Sequence, residues 1–193
     1  MKKVKYMMVV FIAVFLSNIQ AMSSNAKDIA INFNNLEYFL RWFHKTQYEF
    51  TPTGQEDLEK WRDMITFNFY ETVTDGEKLA SVANTILSNY TDYGAKIIET
   101  NSIPRTIDKA AEHLIVAVFR KQNYFETVHV RILVIDQIGA SVIYSHREYG
   151  DNAATLMQTW IKNVGISYTN KIMELDDIPS LAKLRSISKS FEP

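Results

Sequence analysis

Three consecutive runs decide the fold: HLIVAVFRK (His113–Lys121), ETVHVRILVID (Glu126–Asp136) and GASVIYSHREY (Gly139–Tyr149). Each is dense in β-branched and aromatic residues and ends at a polar break, the pattern of a β-strand. Together, from Glu112 to Tyr149, they read as an antiparallel meander. A turn at Gln137–Gly139 would set Val130 opposite His146. Alternation along the strands would then gather Val128, Val130, Ile132, Val134, Val142 and Tyr144 on one apolar face that needs a helix over it. The opposite face would carry His129, Arg131, Ser145 and Arg147. A turn near Gln122, pairing His113 with Arg131, would add His113. These five are the candidate ligand-binding residues, because arginine forks suit a carboxylate or phosphate. The plainer alternative is a solvated outer face with cross-strand ion pairs, which Glu126 and Glu148 are placed to supply.

Outward from this block the chain alternates between strand and helix signals. On the C-terminal side, residues 151–164 place Leu156, Met157, Trp160, Ile161 and Val164 on one helical stripe, with Gly165 as the expected stop. Residues 166–173 read as extended, and Pro179–Leu184 as a short last turn. On the N-terminal side, Ala95–Ile103 reads as a strand ended by Pro104. Glu77–Tyr90 carries Leu79, Val82, Ala83, Ile86, Leu87 and Tyr90 at helical spacing, with Asp75 as N-cap and Gly94 just past the end. Met64–Glu71 reads as a strand with Ile65, Phe67 and Phe69 on one face. Gln55–Trp61 reads as a helical turn, and Leu36–Thr51 as one or two aromatic strands. Residues 22–35 are polar and read as a flexible leader. About six strands and two main helices, in runs rather than strict alternation, give an α+β class with an antiparallel sheet. The domain is expected over residues 36–187, with a short tail at 188–193.

Residues 1–21 have the order of a secretory signal peptide. Lys2, Lys3 and Lys5 precede an apolar run from Met7 to Leu16, and Ala21 offers a cleavage site, with Ala26 a second. The run is shorter than the roughly 20 residues a membrane span needs. Removing residues 1–21 takes three lysines and no acid, which moves the net charge from −1 to −4. That sign disfavours nucleic acid as a partner. The chain has no cysteine, so thiol nucleophiles, cysteine-held metals and disulfides are excluded.

Residues 48–55 (YEFTPTGQ), then Trp61-Arg62-Asp63-Met64-Ile65-Thr66, then Arg147-Glu148-Tyr149-Gly150, and finally the helix carrying Trp160, resemble uncharacterised small exported bacterial proteins. The order of elements resembles the PsbP/Mog1-like α/β/α sandwich, over residues 45–165. The resemblance implies a fold and a compartment, and it brings no catalytic group. Trp61 and Trp160 are expected as core anchors.

The common catalytic motifs are missing: no GxSxG, HExxH, Walker loop or GxGxxG occurs. No two of His44, His113, His129 and His146 stand at i, i+4, and Asp176-Asp177 alone falls short of the 6–8 oxygens a calcium ion takes. No cofactor or metal is expected. The leading expectation is a non-enzymatic exported binding or accessory protein of the bacterial envelope, periplasmic or secreted, with a protein partner. A small-ligand module with an anion-binding sheet face is the second reading. An envelope hydrolase built around His113, His129 and Ser145 is the third. The export reading predicts that protein isolated from the envelope starts near Met22 or Lys27 by intact mass; a chain still beginning at Met1 would refute it.

Overall fold

The computed structural model describes residues 30–107 and 109–188; the expected signal peptide and the last five residues lie outside these. Eight antiparallel strands form one sheet: β1 (Ala30–Phe33), β2 (Leu36–His44), β3 (Gln47–Pro52), β4 (Asp63–Tyr70), β5 (Lys96–Ile103), β6 (Glu112–Arg120), β7 (Tyr124–Ile135) and β8 (Ile138–Tyr149). Their order across the sheet is β1-β2-β3-β4-β8-β7-β6-β5. The sheet is therefore two four-stranded meanders joined side by side at β4 and β8. The link between them is α1 (Gly76–Asp92), which packs over β5, β6 and β7. The other face is covered by a helical run of α2 (Ala153–Trp160), a π-helical segment (Ile161–Gly165) and α3 (Ile166–Met173), followed by α4 (Leu181–Ser188).

The expected class holds, with more elements than the sequence suggested. The stretch read as a leader contains β1, whose Ile31 and Phe33 are buried. A two-residue turn with positive φ at Asn34 and Asn35 returns the chain into β2. Tyr38 and Leu40 enter the core as alternation requires. A register shift between Leu40 and Trp42 then turns Trp42 outward, and Phe43 packs inward in its place. Helix α1 behaves as its spacing demands. Asp75 accepts a hydrogen bond from the Lys78 amide at 2.9 Å, and Leu79, Val82, Ala83, Ile86 and Tyr90 are buried.

The central hairpins differ from expectation in register. The β7–β8 turn is the pair Asp136–Gln137, both at positive φ, so Ile135 faces Ile138 and Val130 faces Ile143 rather than His146. Mirror-image turns of this kind match the strand twist even without the usual Asn-Gly signal. The shift of three residues is odd, so it swaps the faces of β8 relative to β7. Val128, Val130 and Ile132 join Ile115 and Ala117 beneath α1. Val142 and Tyr144 instead join Ile65, Phe67 and Leu133 beneath the C-terminal helices. There is no open face here: both sides of the central strands are covered.

The second helix also outruns its expected stop. Gly165 sits at φ −52°, ψ −47°, an ordinary right-handed helical residue, and the chain continues helically to Met173. The segment read as extended is thus α3, and the burial of Thr169 and Ile172 against the sheet explains why it overrides the glycine signal.

Gly139, expected as the turn, lies inside β8 opposite Val134 and donates its amide to the Val73 carbonyl at 2.6 Å. A Cβ there would stand 2.6 Å from Val73 Cγ1. Gly139→Ala is therefore expected to destabilise the fold by about 1–3 kcal/mol, the usual range for overpacking, measurable by urea unfolding.

Candidate functional site

Buried charge gathers in three places on the central strands, and each carboxylate meets a cation or a hydrogen-bond donor. The first lies on β6 and β7. Register places Leu114, not His113, opposite Arg131. Arg131 therefore points under the C-terminal helices, where its Nε donates to Glu112 Oε2 at 2.7 Å and its Nη2 to Glu112 Oε1 at 3.2 Å. Its Nη1 donates to the Leu175 carbonyl at 2.7 Å and more weakly to that of Ile172 at 3.4 Å. Lys109 adds an ion pair to Glu112 at 2.7 Å. Burial raises the Glu112 pKa, but the hydrogen bonds from Arg131 and Lys109 outweigh it and hold the carboxyl below its ordinary range. The cleft over this pair has a volume of about 220 Å³, below the roughly 300 Å³ at which small-ligand pockets begin.

The second place spans β4 and β8. Asp63 and His146 are register partners, and His146 Nδ1 lies 2.9 Å from Asp63 Oδ1. The Tyr144 hydroxyl donates to the same oxygen at 2.7 Å, and Gln55 Nε2 donates to Asp63 Oδ2 at 3.1 Å. On the other side of the ring, His146 Nε2 lies 3.2 Å from Glu148 Oε1, whose second oxygen accepts from Arg62 at 3.3 Å. Trp160 lies flat over the imidazole, with centroids 4.5 Å apart and planes 12° apart. Burial pushes the Asp63 carboxyl up. The donors His146, Tyr144 and Gln55 reverse that and leave it below the ordinary carboxylate value. Next to this cluster His129 is buried. Its Nδ1 meets Thr169 Oγ1 at 2.9 Å, and burial, aided by the charge of His146, lowers its pKa to about 4.

The third place is Arg147, whose Nε donates to Glu126 Oε2 at 2.8 Å. Its guanidinium carbon stands 3.7 Å from the Trp61 ring centroid and 4.3 Å from that of Tyr124. The cation is thus sandwiched between two aromatic faces.

The five expected site residues do not share a face. His129 and Arg131 lie under the C-terminal helices, whereas His113, Ser145 and Arg147 lie on the α1 side. Both guanidiniums are taken by glutamates, so the free basic patch imagined from the sequence does not form. The groups that do converge are Asp63, Tyr144, His146, Glu148 and Trp160. The strand register supplies the signal for them: Asp63, His146 and Glu148 lie near strand ends, where alternation still points them inward. His146 is the histidine with a carboxylate orienter, but both ring nitrogens are engaged and the ring face is under Trp160. That leaves it no nitrogen with which to deprotonate a nucleophile. No group of three or more candidate metal ligands occurs among the described residues.

No protein-family model and no curated protein matches the chain. Among solved structures, it is similar to the Saccharomyces cerevisiae Ran-binding protein Mog1p, at 10% identity over 70% of this chain and 80% of that one, with a TM-score of 0.45. It is similar to a Pseudomonas aeruginosa protein of unknown function as well, at 10% identity over 79% of this chain and 98% of that one, again with a TM-score of 0.45. Both are likenesses of structure at low sequence identity.

Two tests follow from the charges. Arg131→Met leaves Glu112 buried without its main partner and is expected to cost about 3 kcal/mol in denaturant unfolding at pH 7, whereas Arg131→Met with Glu112→Leu recovers most of it. His129 stays neutral in the fold at pH values where the unfolded imidazole takes a proton. Stability is therefore expected to drop as pH falls from 6.5 towards about 4, by on the order of 2–3 kcal/mol. Unfolding measured across that window should show the drop in the wild type and a flatter profile in His129→Gln. The Glu112 contribution runs the same way at lower pH, persisting above 4.5 and fading below it.

Proposed function

We propose that this chain is an exported, non-enzymatic binding or accessory protein of the bacterial envelope that acts through protein–protein contacts. The observation that carries this reading is the outer edge of β5. This strand ends the sheet and is paired only with β6 among the described residues. Ile98 and Ile103 on it are 44% and 43% exposed, and Ile107 just beyond it is 96% exposed. An unpaired strand edge bearing apolar side chains is a template for another polypeptide. The charged groups inside the sheet point the same way, because they are used up in holding strands and helices together rather than left converging on a substrate. The compartment rests on the signal-like order of residues 1–21.

The test is a photo-crosslinking amino acid placed at Ile103 or Ile107, in the protein expressed in its native bacterium. A discrete crosslinked product is expected at these positions and not at the exposed Asn84 on α1. Equal labelling at all three, or none at any, would remove the binding-edge reading.

A further inference from the structure

The β5 edge has internal boundaries that select its occupant. At one end a register shift between Ile97 and Glu99 makes Ile98 a bulge, which breaks regular pairing. At the other, Pro104 follows the strand and has no amide hydrogen to give. Between these lie five residues in unbroken register with β6: Glu99, Thr100, Asn101, Ser102 and Ile103. Thr100 to Ile103 are all exposed. Glu99 is the one charge in this window, and Asn101 is its centre.

We infer that this window pairs antiparallel with the same window of a second copy of the chain, Asn101 opposite Asn101, so that one sheet runs through two molecules. The inference rests on reading β5 as the protein-binding edge. A twofold axis perpendicular to the sheet maps each face onto itself and makes the contact self-complementary. Opposed residues must then share a face, which alternation allows only between positions an even number apart. Centring on Asn101 satisfies this and uses the whole regular window. Thr100 then faces Ser102, whose hydroxyl already meets His113 Nδ1 at 2.9 Å, and Glu99 faces Ile103, so no like charges meet. Centring on Thr100 would set the bulged Ile98 against Ser102. Centring on Ser102 would set Pro104 against Thr100. The bulge and the proline, which commonly serve to keep strand edges from pairing, here leave a single symmetric register. One local bond has to open: the Ser102 amide donates to Asn101 Oδ1 at 2.7 Å, so the Asn101 side chain occupies a donor in the middle of the window.

The absence of cysteine from the chain makes the register readable by disulfide trapping. In the full chain, Asn101→Cys is expected to form a disulfide-linked dimer on air oxidation. Thr100→Cys and Ser102→Cys are expected to link to one another when mixed and much less to themselves. Asn84→Cys, exposed on α1, sets the background. Ile103→Lys is expected to lower the dimer fraction of the cysteine-free protein at least tenfold by light scattering, with its thermal unfolding unchanged. If Asn101→Cys links no faster than Asn84→Cys, the pairing is overturned. The crosslinking at Ile103 separates this outcome from failure of the binding edge itself. A product of twice the chain mass supports the second copy. A product of any other mass overturns the dimer while keeping a different partner at the edge, and no product removes both.

Discussion

A guanidinium shut between a sheet and the end of a helix sets the arrangement of this molecule. Arg131 rises from β7, grips Glu112 on β6 with two nitrogens and turns its third to the carbonyls where α3 ends. Carbonyls at a helix end lack intrahelical partners, and when buried they need a donor from elsewhere. One side chain meets that need and binds two strands to each other. The cost of removing so large a cation from water is several kcal/mol, and it is offset only while all three elements hold their places. The position of the C-terminal helices on the sheet is thus tied to the β6–β7 register.

The two faces of the sheet are built on different chemistry. Beneath α1 the packing is mainly aliphatic, with Ile115, Val128, Val130 and Ile132 against Leu79, Val82 and Ile86, and one edge-to-face aromatic pair, Tyr90 and Phe119. Beneath the C-terminal helices it is aromatic and threaded with polar groups: Tyr144 stacks on Tyr168 at 4.6 Å while its hydroxyl binds Asp63. A core of this second kind fixes directions as well as distances, since aromatic planes and hydrogen bonds both have preferred geometry. Asp63, His146 and Glu148 also bind β4 to β8, the seam where the two meanders meet, so the seam is closed by polar side chains as well as by backbone bonds.

The legible parts of the sequence were those decided locally. Helix α1 carries its cap, its stripe and its terminal glycine within twenty residues, and β4 shows Ile65, Phe67 and Phe69 in strict alternation. The illegible parts depended on which of two near-equal signals won. Gly139 looked like a turn, yet it is needed inside a strand for Val73 to approach, and the turn fell on Asp136–Gln137. That displacement by three residues sent His129 and Arg131 to one face and Ser145 and Arg147 to the other. Gly165 looked like a helix stop, but the buried surface beyond it outweighed its preference. Four of the five candidate residues take part in hydrogen bonds or ion pairs, but their grouping depends on a register that composition does not encode.

The π-helical segment has a consequence for how this helix counts. In a regular α-helix residues turn by 100° each, so side chains eight apart point about 80° away from each other. Trp160 and Tyr168 are eight apart, yet both rings lie against Tyr144 and against one another at 4.9 Å. The wide turn at Ile161–Gly165 absorbs one residue and makes a spacing of eight behave as a spacing of seven. A chain of the same fold with one residue fewer in this turn would present the same aromatic pair from an unbroken α-helix. A gap there in a comparison of sequences would therefore mark conserved geometry rather than a lost contact.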